Sequence, residues 1–143
     1  MNSDNLELLQ KKIIFEKIIN EIDVGVHVVN SGGKTIIYNQ KMKDIEGMEI
    51  EDVLDKNLLD VFSFNQNEDS TLLAALRNGI TIKNAKQTYF NNKGQEITTV
   101  NNTFPIIEDG VKIGAMEIAR DITKYERLIR ENLLKKGHKV HLR

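Results

Sequence analysis

The 143-residue chain has no cysteine, which excludes disulfides, thiolate nucleophiles, iron–sulfur clusters and cysteine-rich zinc sites together. It has no apolar run near the roughly 20 residues that a membrane span requires. Its N-terminus, MNSDNLELLQKK, lacks the pattern of a signal peptide. Neither sign of charge predominates, at 20 basic against 21 acidic residues, so nothing global draws the chain to nucleic acid or to a membrane. One soluble cytoplasmic domain with one core, binding neither nucleic acid nor membrane, is the expectation.

A glycine is missing at position 28, and that decides the one nucleotide-enzyme signal. Residues 31–35 read SGGKT, but a phosphate-binding loop, G-x-x-x-x-G-K-[ST], needs glycine where Val28 stands, so that the loop can curl and aim its N–H groups at phosphate. The flanks GVHVVN and TIIYN are short β-branched runs, and the stretch reads as a hairpin turn between two strands. Other chemistry is equally thin. The carboxylates of EGMEIEDVLD have no partner histidine and read as a solvated face. His27 lies in the first strand, where a lone histidine is more often packed than ligating, and His138 and His141 lie in a tail without the carboxylates a metal site requires. No enzyme and no metal are expected.

What is present divides at 1–22, 23–123 and 124–143. Residues 4–22 hold no Gly or Pro and open on Asp4-x-x-Glu7, a capping-box variant that predicts a helix. At 100° per residue its apolar side chains form two stripes: Leu8, Phe15, Ile18, Ile19 and Ile22 on one side, Leu6, Leu9 and Ile13 on the other. Such a helix has two surfaces to bury: one against its own domain and one, through Leu6, Leu9 and Ile13, against a second copy of the chain. A helix sunk in one core is the alternative.

From 24 to 122, short strands alternate with short helices. VGVHVVN and TIIYN make the first hairpin; Asn39 caps QKMKDIE, which stops at Gly47. IEDVLDKNLLDVF gives broken helical turns, and NEDSTLLAALRNG a second helix capped by Asp69 or Ser70 and ended by Gly79. Three strands follow, ITIKNAKQTYF, QEITTVNNTFPII and VKIGAMEIARDI, joined by turns at NNKG and EDG. The layout is α+β: a five-stranded antiparallel sheet with short helices on one face.

The opening VGVHVVNSGGKTIIYNQKM, the pair KGQEITTVNNTFPIIEDGVKIGAMEIARDI and above all Asp121-Ile122-Thr123 at the end of the fifth strand resemble the PAS sensor domain over 20–125. In that family the D-I-T triplet marks the handover from the last strand to a signalling helix. The run VGVHVVNSGGKTIIYNQKMKDIEGME is similar to the N-terminal sensor of bacterial sigma-54-dependent transcription activators, especially regulators of arginine utilisation. There the PAS domain precedes an AAA+ ATPase and a DNA-binding domain, neither of which is in this chain, so the resemblance implies a sensor apart from its downstream partners. The family's flavin adduct needs a cysteine, and its haem histidine would stand in the helix matched by NEDSTLLAALRNG; both residues are missing. Haem and flavin are not expected, and a small-metabolite ligand is.

On EITTVNNTF, hydrophobicity alone turns Thr98, Val100, Asn102 and Phe104 inward. The resemblance implies the other phase: Thr99, Asn101 and Thr103 face the ligand, with Ala115, Glu117 and Ala119 inward on the last strand and Met116 and Ile118 outside. The N-terminal helix would reconcile the two by covering the apolar outer face. A cavity lined by Tyr89, Thr99, Asn101, Thr103 and Glu117 is too polar for an ordinary core, since an unpaired buried carboxylate costs several kcal/mol. Many PAS sequences have a small residue at the position of Glu117. Its carboxylate favours a guanidinium or ammonium ligand, such as a basic amino acid; the alternative turns Glu117 to solvent or pairs it with a lysine on a neighbouring strand.

After the triplet, KYERLIRENLLKK places Ile122, Tyr125, Ile129 and Asn132 at heptad spacing, a short coiled-coil seam. The helix is expected to end at Gly137. Two readings remain: a ligand-responsive sensor controlling a transcription activator, or a PAS dimerisation or docking module with a filled core, from a transcription regulator or a sensor kinase. Both imply a homodimer.

Overall fold

The computed structural model describes residues 2–62 and 70–141, with side chains as far as residue 136. The N-terminal helix, α1, spans Ser3–Glu21. Its cap is Asn2 rather than Asp4: Asn2 has extended backbone, and its Oδ1 accepts from the Asn5 N–H at 2.9 Å, whereas Asp4 already lies in the first turn. No described helix is long and apolar enough to cross a membrane.

The hairpin of β1 (Gly25–Asn30) and β2 (Thr35–Tyr38) follows. Gly33 has φ 85°, a left-handed conformation that a side chain resists. The N–H groups of the turn are consumed locally: Oδ1 of Asn30 accepts from Gly32 and Lys34, each at 3.0 Å, and the Asn30 carbonyl accepts from Gly33 at 3.0 Å. The N–H groups of Gly32, Gly33 and Lys34 are therefore already used and do not cradle phosphate.

Helix α2 spans Gln40–Glu46 between its cap Asn39 and a left-handed Gly47. Asn39 is buried and ties three segments together. Its Oδ1 accepts from Met42 and Val26, and its Nδ2 donates to the Ile19 and Val24 carbonyls at 2.7 and 2.9 Å. A 3-10 turn at Ile50–Asp52 and the single-turn α3 (Leu58–Val61) follow, then α4 (Thr71–Asn78), capped by Ser70 and ended by Gly79. Asp69, the other candidate cap, lies outside the described residues.

Strands β3 (Ile82–Phe90), β4 (Glu96–Glu108) and β5 (Val111–Asp121) complete an antiparallel sheet in the order β2-β1-β5-β4-β3. Helix α5 (Thr123–His141) continues through Gly137 instead of ending there; a glycine inside a helix costs about 1 kcal/mol, and no following residue forces a stop. The side chains of His138 and His141 are outside the described ones.

Residues 97, 99, 101 and 103 are buried: Thr99 and Thr103 at 0%, Asn101 at 4%, Ile97 at 8% exposed; of the other phase Thr98 is buried as well, beside the α5 joint, while Val100, Asn102 and Phe104 remain half-buried. The phase implied by the PAS resemblance holds, and hydrophobicity alone misplaces the strand. The expected covering of the outer face by α1 does not occur. This helix packs its C-terminal end on α2, and Met116 and Ile118 stay half-buried. The element against β4 is α5, with Glu126 paired to Lys86 and Arg130 to Glu96.

The inner core is divided. One cluster joins Val29, Leu58, Leu72, Ala75, Leu76 and Ala115; the other joins Tyr38, Met42, Ile45, Val53, Ile97 and Ala119.

Candidate functional site

Between the two clusters lies a cavity of about 380 Å³, with members of both in its wall: Leu58 and Leu72 from the first, Met42 and Ala119 from the second, and Phe62 bridging them. The rest of the wall is polar. Met42 and Glu46 are i, i+4 neighbours on one face of α2. Glu117 comes from β5, Asn101 from β4, Gln87 and Tyr89 from β3, and Ser70 and Thr71 from the start of α4. A site assembled from this many elements responds to any shift of α2 or α4 against the sheet.

Thr103 donates to Thr71 at 3.0 Å, and Thr71 donates to Oε2 of Glu117 at 2.9 Å. Burial raises the Glu117 pKa above the ordinary carboxylate range, only partly offset by the Thr71 bond. Glu46 accepts from the Tyr38 hydroxyl. Its pKa is pushed up to about 7, first by burial and then by the charge of Glu117, against the lowering effect of the Tyr38 bond. Tyr38 and Tyr89 are both raised, chiefly by burial. Neither glutamate meets a lysine or arginine among the described residues, so Glu117 is not paired with a neighbouring-strand lysine; both side chains are half-buried in the cavity wall. Two buried polar atoms, Asn101 Oδ1 and Thr99 Oγ1, have no hydrogen-bond partner among the described residues; leaving such groups unmet costs about 1–3 kcal/mol each.

Of the five ligand residues read from the sequence, Tyr89, Asn101 and Glu117 line the cavity. Thr99 and Thr103 are fully buried on the same face behind the wall, and Thr103 reaches the site through Thr71. The sequence reading missed Glu46, Gln87, Thr71 and Met42. Glu46 carried one local signal: a carboxylate as the last residue of a helix faces the negative end of the helix dipole, where a cation would be preferred. His27 is packed, as its strand position predicts. It is 2% exposed, bonds Thr35 through Nε2 at 2.8 Å and stacks edge-on against Tyr38, and burial lowers its pKa to about 4. Among the described residues no group of three or more His, Cys, Asp or Glu comes together to hold a metal.

Asp121, Ile122 and Thr123 form the joint between sheet and α5. Oδ1 of Asp121 accepts from the Thr123 N–H at 2.9 Å and from the Thr123 hydroxyl. The Thr98 N–H donates to Thr123 Oγ1 at 2.9 Å, and Ile122 N–H donates to the Thr98 carbonyl at 2.9 Å. The first turn of α5 is thus fastened to β4 across its last strand. On α1, Leu6, Leu9 and Ile13 are 49%, 42% and 45% exposed, and the opposite stripe is as open, with Leu8, Phe15 and Ile18 at 68%, 48% and 55%.

Comparison with known proteins agrees with this geometry. The chain is 63% identical to the transcriptional activator RocR of Bacillus subtilis (strain 168) over 125 residues, which are 87% of this chain and 27% of that protein; it spans about a quarter of the relative's length. The PAS domain of an HTR-like protein from Haloarcula marismortui superposes with a TM-score of 0.61 at 17% identity, over 83% of this chain and 98% of that one. The PAS domain of Bordetella pertussis BvgS gives 0.59 at 18% identity, over 94% and 98%. DhaR(N) in the E. coli DhaR(N)-DhaL complex gives 0.62 at 15%, over 82% and 39%. The PAS domain family profile matches residues 23–124, and the chain belongs to the PAS domain family.

Proposed function

We propose that this chain is the sensory domain of a sigma-54-dependent transcription activator of the arginine-utilisation type, and that it binds a small cationic metabolite in the cavity between its two core clusters. The carrying observation is Glu117. Its carboxylate lines a 380 Å³ cavity beside the unpartnered Oδ1 of Asn101, has a raised pKa and has no cationic partner among the described residues. A filled, purely structural core gains nothing from this arrangement; a guanidinium or ammonium group would neutralise it. The identity to a transcriptional activator of which this chain spans 27% supports AAA+ and DNA-binding partners downstream. The reading needs neither haem nor a flavin adduct, and it places the protein in the cytoplasm with its transcriptional target.

In this reading the signal leaves through the Asp121-Ile122-Thr123 joint into α5. The exposed stripes of α1 favour a homodimer, and that observation alone would also serve a PAS module that only dimerises. A thermal-shift screen of arginine, ornithine, citrulline and neutral amino acids separates the two. A sensor is stabilised in proportion to the logarithm of a basic ligand's concentration once the site is saturated; a dimerisation module is indifferent to all of them.

A further inference from the structure

Resting on the cationic-ligand reading, we propose that Glu46 is a second anionic group of the cavity, and that the site takes an aliphatic chain with two cationic ends, one seated at each glutamate. Glu46 and Glu117 line the same cavity from different walls, one on α2 and the other on β5. The lining contains no Lys, Arg or His, and residues 63–69, outside the described ones, read SFNQNED and have no basic residue. A ligand with one positive charge would meet one carboxylate and leave the other with no cation, only a hydroxyl donor: Tyr38 at Glu46 or Thr71 at Glu117.

The neutral groups point the same way. Oδ1 of Asn101, in a side chain 4% exposed, is an acceptor without a donor among the described residues, so the described wall holds acceptors in excess and suits a ligand rich in N–H groups. Met42, Leu58, Phe62 and Leu72 supply an apolar wall against which methylenes between the two ends would pack. Glu46 also sits at the end of α2 where the helix dipole disfavours a carboxylate, so helix stability does not account for it. The charge of Glu117 adds to burial in raising the Glu46 pKa, and a cation at either carboxylate would relieve that repulsion. The shared chemistry is two ammonium or guanidinium groups joined by a short chain, found in a free diamine and in a diamino acid alike.

Calorimetric titration of the whole chain with 1,4-diaminobutane, ornithine and n-butylamine tests this. The diamine, the diamino acid or both are expected to bind roughly tenfold or more tighter than the monoamine, the size of one added charge-assisted contact. Glu46→Gln should bring them down to the monoamine's affinity. Whichever dication binds tighter identifies the source, since only ornithine carries a carboxylate that the cavity must also accommodate. A monoamine binding within about twofold of both dications, which the wild-type chain alone decides, or a dication preference that survives Glu46→Gln, overturns the two-ended ligand. Those outcomes leave the single-cation reading standing; failure of every amine to bind removes both.

Discussion

The hydroxyl of Thr71 donates to Oε2 of Glu117 at 2.9 Å across 46 positions of sequence, and it does so while accepting from Thr103 at 3.0 Å. A hydroxyl has one proton, so the order Thr103 to Thr71 to Glu117 is fixed. It links the first residue of α4 to the middle of the sheet through the group that would receive a ligand's charge. In the proposed reading, a cation arriving at Glu117 would alter the strength of that bond and with it the seating of α4.

Replacing Thr71 by valine should break the relay without a large change in volume. The expected cost is about 1–2 kcal/mol by denaturant unfolding, with much of it recovered in Thr71→Ser. An unchanged unfolding midpoint in Thr71→Val would show that the relay contributes nothing to the fold.

Glu46 sets a pH dependence whose sign follows from its shift. Its pKa rises on folding from 4.5 to about 7, so the native state holds a proton that the unfolded chain has released, and stability falls as pH rises through that window. The facing titratable groups, Tyr38, Tyr89 and Glu117, either stay neutral there or, as Glu117 does, act in the same direction. His27 opposes it: its pKa falls from 6.5 to about 4, so its contribution is lost as pH drops through that range. With two raised glutamates against one lowered histidine, wild-type stability should still fall as pH rises between about pH 4.5 and 6.5, less steeply than the glutamates alone would make it. The stability difference between Glu46→Gln and wild type should grow from pH 4.5 to 7, towards the order of 2–3 kcal/mol. Denaturant titrations at several pH values check this, and a difference independent of pH contradicts it.

The α1 stripes should hold two chains together. Deleting residues 1–20, or replacing Leu9 and Ile13 by Asp, is expected to shift sedimentation from dimer to monomer. A wild-type chain that sediments as a monomer at tens of micromolar, roughly the range of a weak dimer, would remove this role for the helix.

Asp121→Ala and Thr123→Ala should each cost only about 1 kcal/mol in stability, because the bonds they lose lie in a part-buried joint. In the full-length regulator either change should nevertheless uncouple ligand from transcriptional output. Normal induction in the Asp121→Ala regulator would argue against transmission through this joint.

The fold was legible where local rules agree with one another. Asn39 and Gly47 bound α2, Gly79 ends α4, and the β-branched runs flanking SGGKT mark a hairpin whose own Asn30 uses the turn's donors. The inward phase of β4 was not legible from hydrophobicity, because this strand buries Thr99, Asn101 and Thr103 and leaves Val100 and Phe104 half-buried; only the family likeness supplied it. Tyr89, Asn101 and Glu117 could be placed in a cavity on that likeness. Glu46 and Thr71 could not, since their roles depend on how α2 and α4 seat on the sheet, across separations that no local pattern encodes. The two apolar sides of α1 were visible, but not what they meet: the helix leaves the outer sheet face alone and is held to the domain by Asn39 and by the Asn20 side chain, which accepts from the Gln40 N–H.

The central claim, a cation held by Glu117, is tested most directly by calorimetric titration of arginine and ornithine into the wild-type chain and Glu117→Gln side by side. The account predicts that the wild type binds at least one of them and that Glu117→Gln, folded by its circular dichroism, binds it roughly tenfold or more weakly. Equal affinity of the two proteins for every basic ligand, or no binding to the wild type at all, would contradict it.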